Sequence, residues 1–180
     1  MPLLFYLYGF SYKEKFNLSD KITYDYKVRA IGSNISLNRF YSNINSVSVI
    51  NDLIEVSNPN KNEKIIFVWP EGILPDVSQK ELIEYSWLFK ESFSEKHLLV
   101  IGINSKISEN GSIKHFNSLS IYDGDLNLLD SYNKINLVPF GEFVPFENIL
   151  KEIGLRTITN NYQSFSSGKN SPNGTKLILL

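Results

Sequence analysis

Lys64-Ile65-Ile66-Phe67-Val68-Trp69-Pro70-Glu71-Gly72 holds five consecutive apolar residues between a lysine and a proline. Such a run, rich in β-branched and aromatic side chains, reads as a strand buried on both faces. Pro70 has no amide hydrogen to donate to a ladder and ends it. A second run of the same character, Leu98-Leu99-Val100-Ile101-Gly102-Ile103, lies within residues 97–104. Between the two, Asp76 or Ser78 is placed to cap a helix. Glu81 completes a capping-box pattern with Ser78, and Leu82, Tyr85 and Phe89 share one side. Strand, helix, strand in this order makes a parallel pair with a crossover.

The pattern extends in both directions. Tyr26, Val28, Ala30 and Ile31 form a short strand that ends at Gly32-Ser33-Asn34. From about Arg39 to Val56, Ile44, Val47, Ile50 and Ile54 recur at near-helical spacing, and Asn58-Pro59-Asn60 stops that helix. Downstream, Glu109-Asn110-Gly111-Ser112 is a turn, His115 to Tyr122 a strand, Asp123-Gly124-Asp125 a turn and Leu128 to Lys134 a strand. The whole predicts an α/β layered sheet with mixed strand directions. Residues 135–148 are a loop with Pro139 and Pro145, residues 164–175 an exposed polar stretch, and Leu177 to Leu180 strand-like.

Residues 11–23 carry Lys13, Glu14, Lys15 and Asp20 and read as a linker. Ahead of them, Leu3 to Phe10 is apolar, with no basic flank before it and no small-residue cleavage site after it, so it is a poor signal peptide. It fits the start of a buried strand or helix, or the last turns of a transmembrane helix with interfacial tyrosines.

The balance of 18 basic and 19 acidic residues gives a net charge of −1, which leaves no field for nucleic acid. With no cysteine, disulfides and thiolate metal sites are excluded. The two histidines, His97 and His115, form no paired motif, so no metal and no cofactor are expected.

Three places can carry chemistry. Glu71 stands at the C-terminal edge of the buried strand, where open α/β sheets bind ligands, as a general base or as a solvated turn glutamate. Lys134, at a strand end, is suited to stabilise an oxyanion or a thiolate, or is a surface lysine. Glu142 lies in an apolar loop, Leu137 to Pro145, flanked by Phe140 and Phe143. A carboxylate in that setting needs a partner, and Lys134 is the candidate, whether for catalysis or as a structural ion pair.

Trp69-Pro70-Glu71-Gly72, the stretch from Asn117 to Pro145 (NSLSIYDGDLNLLDSYNKINLVPFGEFVP) and the Gly-containing loop after it resemble the carbon–nitrogen hydrolase (nitrilase) superfamily. Within it they look most like the apolipoprotein N-acyltransferases, over about Tyr24 to Leu180. The string YNK followed by LVPFGEFVP is the most specific part.

The resemblance implies an α-β-β-α sandwich, incomplete at the C-terminus, with residues 1–23 a transmembrane-helix remnant and linker and residues 24–180 a partial catalytic domain. It implies a Glu-Lys-Cys triad in which Glu71 is the base and Lys134 the lysine. Glu142 supports the lysine and the substrate amine, and Trp69, Phe140 and Phe143 lie on the substrate side. Thr175 to Leu180 matches the strand that precedes the nucleophile, which is absent from the 180 residues. The implied reaction is N-acylation of an apolipoprotein from a phospholipid donor at the bacterial inner membrane, with the catalytic domain on the periplasmic side.

The segment Asn34 to Tyr41 departs from the family, whose members often read Asn-Ile-Pro-Gln and then a tryptophan there. A soluble nitrilase-family amidase and a non-catalytic binding domain on the same scaffold are the alternatives. Alone, the chain is expected to be inactive and poorly soluble.

Overall fold

A computed structural model describes residues 2–18, 24–32, 45–74, 76–109, 111–146 and 164–169. Among these, five strands form one mixed sheet in sequence order: β1 (Lys27–Ala30), β2 (Ile65–Trp69), β3 (His97–Glu109), β4 (Ser112–Asp123) and β5 (Leu128–Asn133). β1, β2 and β3 run parallel, and β3, β4 and β5 antiparallel. The parallel pairs follow from the helical crossovers and the antiparallel pairs from tight turns, as the α/β reading requires.

The crossover helices are α2 (Ser46–Ser57) and α3 (Ser86–Ser92), the latter entered through a 3₁₀ turn, Glu81–Tyr85. The side chain of Asn45 caps α2 by accepting from the Val47 amide at 2.9 Å. Asn58, left-handed at φ 43°, closes it by donating to the carbonyls of Ile54 and Glu55. The Arg29 guanidinium donates to the carbonyls of Ser57 and Asn58, both at 2.6 Å, and so ties the end of α2 to β1. The expected helix start near Arg39 and its Ile44 lie outside the described residues. Only one arm of the expected capping box is seen: the Ser78 amide donates to the Glu81 carboxylate at 2.7 Å, and the element that follows is a 3₁₀ turn with Lys80, not Asp76 or Ser78, at its N-cap and no side-chain cap bond.

Ile65, Phe67 and Trp69 of β2 and Leu99, Ile101 and Ile103 of β3 point toward the helices, where they join Ile50, Leu53, Leu82 and Phe89 in one core. The ring of Phe67 meets Phe93 and His97 edge-on, each at 5.2 Å. Opposite, Ile66, Val100 and Ile121 form a smaller cluster with Val68 and Leu98. This is one helical layer on one sheet, half of the sandwich that the resemblance implies.

Three other expectations are corrected. The β3–β4 hairpin is longer than the predicted 97–104 and 115–122. Gly111, at φ 79°, allows a tight two-residue turn, and the ladder continues to Glu109 and Ser112. Residues 11–18 are not linker, because α1 (Pro2–Leu18) runs through them. Lys13, Glu14 and Lys15 are good helix formers and do not end it. The described part of the polar stretch, 164–169, is not freely exposed. Ser164, Phe165, Ser166 and Gly168 are half-buried, and backbone bonds tie the segment to the sheet and the loop after it.

Helix α1 is apolar on all sides of its first turns and fully exposed, with Phe5 at 74% and Phe16 at 72%. Among the described residues no helix is long and apolar enough to cross a membrane.

Candidate active site

The site forms on the sheet face away from the helices, where the ends of β2 and β5 meet the middle of β4. As β2 ends, the chain turns through Pro70, Glu71 and Gly72, the last at φ 68°. This turn lies directly on β3. A Cβ on Gly102 would sit 2.7 Å from both the Cα and the amide nitrogen of Glu71. Only a glycine in β3 lets the Glu71 backbone come this close.

Asn117 of β4, buried at 7% exposure, joins the acidic residues. Its side-chain amide nitrogen donates to Glu71 Oε1 at 2.5 Å and to Glu142 Oε1 at 2.6 Å. One amide thus uses both hydrogens to hold two carboxylates of like charge. The Asn117 carbonyl also accepts the Lys134 amide at 2.8 Å, which fixes the residue after β5. Lys134 Nζ then lies 2.9 Å from Glu142 Oε1 and 4.0 Å from Glu71 Oε2.

The loop after β5 is built around the second glutamate. The Val138 carbonyl accepts the amides of Gly141 and Glu142, and the Val138 amide donates to Glu142 Oε2 at 2.8 Å. This tight turn holds Phe140 at φ 61°, a left-handed conformation that costs a bulky residue energy. Burial pushes the Glu142 carboxyl up. The bonds from Val138, Lys134 and Asn117 outweigh that and hold it below its ordinary value. The hydrogen bond to Glu142 raises the Lys134 ammonium above its ordinary value, against some desolvation and with help from the charge of Glu71. Lys134 therefore stays a cation at neutral pH.

The supports lie behind and beside these residues. On the helix side, Ser118 Oγ donates to Asn133 Oδ1 at 2.7 Å and shares a hydrogen bond with Ser105 at 2.7 Å, which pins the end of β5. The segment 164–169 straps the site. The Phe165 amide donates to the Glu142 carbonyl, Ser166 to His115 and Gly168 to Lys134. Over the cluster opens a cavity of about 270 Å³, walled by Val68, Pro70, Glu71, Leu119, Tyr132 and Lys134 and mostly apolar.

Glu71 is thus brought together with Lys134 and Glu142, which are distant from it in sequence. Trp69 is not turned to them: its ring is buried on the helix side, donates to Ser57 Oγ at 2.9 Å and packs on Phe89. Phe140 points out at 69% exposure, and Phe143 is half-buried, with its carbonyl accepting the Phe140 amide. His97 is a core residue, with its Nδ1 accepting the Ser94 amide and its Nε2 3.0 Å from the Asn60 carbonyl. Sequence reasoning missed Asn117 and Gly102. The signals were a polar residue in a strand of alternating pattern and a glycine inside an apolar run.

No protein-family model matches the chain. Curated relatives do. The apolipoprotein N-acyltransferase of Caulobacter vibrioides is 31% identical over 109 residues, which are 57% of this chain and 21% of the relative. That of Rhizobium rhizogenes is 29% identical over 123 residues, 62% of this chain and 22% of the relative. That of Rhizobium leguminosarum bv. trifolii is 27% identical over 107 residues, 57% and 19%. The chain spans about a fifth of the length of these relatives.

Among solved structures, an N-terminal amidase with an Asn-Glu-Ala peptide matches at a TM-score of 0.41 and 16% identity, over 62% of this chain and 28% of that one. The C. elegans NitFhit protein matches at 0.36 and 18%, over 63% and 28%. Over more than half of its residues, the chain is similar in sequence to apolipoprotein N-acyltransferases.

Proposed function

We propose that this chain is the part of a membrane-bound N-acyltransferase that supplies the base and the lysine of a Glu-Lys-Cys triad. The observation that carries the reading is the joint held by Asn117. Glu71, Glu142 and Lys134 converge there beside an apolar cavity. In this reading the nucleophile is a cysteine thiol that these 180 residues do not themselves supply.

In the first step Glu71 takes the thiol proton, and the thiolate attacks the acyl ester carbonyl of a phospholipid. Lys134, held charged and oriented by Glu142, stabilises the oxyanion. The intermediate collapses to a thioester, and Glu71 returns the proton to the departing lysophospholipid oxygen. In the second step the α-amine of a lipid-modified N-terminal cysteine attacks the thioester. Glu71 accepts the amine proton and passes it to the departing thiolate. The products are an N-acylated apolipoprotein and free enzyme. The exposed apolar residues of α1, with Val138, Phe140 and Phe146, face the bilayer in this reading. In the same reading the site works at the bacterial inner membrane, on its periplasmic side.

The test uses the full-length protein that carries this sequence, with a fluorescent phospholipid and a diacylglyceryl-cysteine peptide. Acyl transfer to the peptide is expected. Glu71→Gln and Lys134→Ala are each expected to lower it by at least ~100-fold. Hydrolysis of small amides without acyl transfer would overturn the reading in favour of an amidase.

A further inference from the structure

Three successive residue pairs of the β3–β4 ladder share the site face: Gly102 with Leu119, Asn104 with Asn117, and Lys106 with His115. Each step along an antiparallel ladder is about 7 Å. The apolar cavity of the candidate site stands over the first pair. A second cavity, of about 210 Å³, begins at Asn104 and extends over the third pair. Asn117, which holds Glu71 and Glu142, therefore stands at the boundary between the two.

The second cavity differs in its chemistry. One wall is the segment after the Glu71 turn, which carries Asp76, Ser78 and Glu81. Ser78 pairs with Asn104 in a parallel bridge, and the Gln79 amide donates to the Asn104 carbonyl at 2.8 Å, so this wall continues the sheet where β2 has ended. Lys106 faces Glu81 across the opening at 3.8 Å. Phe165 closes the third side, and its amide reaches back to the Glu142 carbonyl at 2.8 Å.

We infer that this polar cavity receives the polypeptide of the acyl acceptor, the residues that follow the reacting amine. The inference rests on the acyl-transfer reading of the adjoining site. An acyl chain would not stay against two carboxylates and an ammonium, because it would strip water from charges and give nothing back. A lone ion is equally ill-matched, since the walls carry both signs. A peptide backbone brings donors and acceptors together, and both kinds are present here within one ladder step of Asn117. The geometry separates the two substrates: lipid over Gly102 and Leu119, peptide over Lys106 and His115, with the reacting atoms between them.

The experiment measures affinity in the full-length protein in detergent. The probe is S-dipalmitoylglyceryl-cysteinyl-seryl-asparaginyl-lysine with fluorescein on the lysine, and the comparison is a fluorescent dipalmitoylglycerol without peptide. In Lys106→Glu and in Asp76→Lys, the lipopeptide Kd is expected to rise about tenfold while the Kd of the peptide-free lipid changes by less than about twofold. Both positions are open to solvent, so a folded variant is expected from at least one.

Equal Kd changes for the two probes, or no change for either, would overturn the inference. If acyl transfer proceeds and both variants bind the lipopeptide like the parent, the subsite fails and the reaction reading stands. If the lipopeptide depends on Lys106 but no phospholipid acyl group is transferred, the reaction reading fails and the subsite stands.

Discussion

The two faces of the sheet are built from the same strands and obey different rules. On the helix face, Ile65, Phe67, Trp69, Leu99 and Ile101 are fully buried and touch other apolar side chains. On the opposite face, the strands' own apolar residues form only a small cluster around Ile66, Val100 and Ile121. The rest of that face is left to Gly102, Asn117 and the chain ends they hold. Strand side chains alternate, so a single sequence serves both faces, odd positions of β2 for packing and even positions for the site. Stability therefore resides mainly on one face and chemistry on the other, and substitutions on the two should fail in different ways.

The largest effect is expected on the packed face. Phe67→Ala removes a ring that meets Phe93 and His97, and should cost about 3–5 kcal/mol of folding stability. Urea unfolding in mild detergent measures this. Val68→Ala, the next residue but on the site face and half-buried, should cost less than half as much. Equal losses would break the comparison.

A middle-sized effect is expected where the site face is tightest. Gly102→Val drives side-chain atoms into the backbone of Glu71 and should cost about 1–3 kcal/mol. Activity of the full-length protein should fall much further than stability, because the base is displaced. Asn117→Ala should be milder, about 1–2 kcal/mol, since Glu142 keeps its bonds from Val138 and Lys134. Its loss should appear mainly as a fall in kcat.

The helix face was the more legible in sequence because hydrophobic burial is a property of residue type and period. The run from Ile65 to Trp69 and the run from Leu98 to Ile103 declare themselves without reference to anything distant. Glu71, Lys134 and Glu142 were legible for another reason: each is a charge at a strand end or in an apolar loop, and the string around them resembles a known family. What joins them was not. Asn117 is one polar residue in a strand with several, and its role depends on a register between β3, β4 and β5 that no local pattern encodes. Trp69 shows the opposite failure. The resemblance implies that it lies on the substrate side, but the two-residue period turns its ring into the core. The length of α1 was missed because charged residues were read as a break, although lysine and glutamate extend a helix readily.

The smallest effects separate the faces by pH. His97, on the helix face, is held below its ordinary 6.5 by burial, which outweighs its backbone hydrogen bonds. The unfolded chain takes up that proton first, so stability should decline as pH falls from 6.5 toward the folded value. Glu142, on the site face, is held below its ordinary 4.5, and its contribution should persist above 4.5 and be lost as pH falls through the folded value. Lys134 acts at the other end. Its raised value means stability is complete below 10.5 and lost as pH rises through the folded value. Comparing urea midpoints of the parent chain with His97→Gln and Glu142→Gln across pH should therefore give two separate differences. The His97→Gln difference should shrink between 6.5 and the folded histidine value. The Glu142→Gln difference should shrink below 4.5, as Glu142 takes up its proton, and again above 10.5, as Lys134 gives up its own. A Glu142→Gln difference that is flat at both extremes would mean that Lys134 and Val138 do not hold this carboxylate, and the arrangement of the site would have to be redrawn.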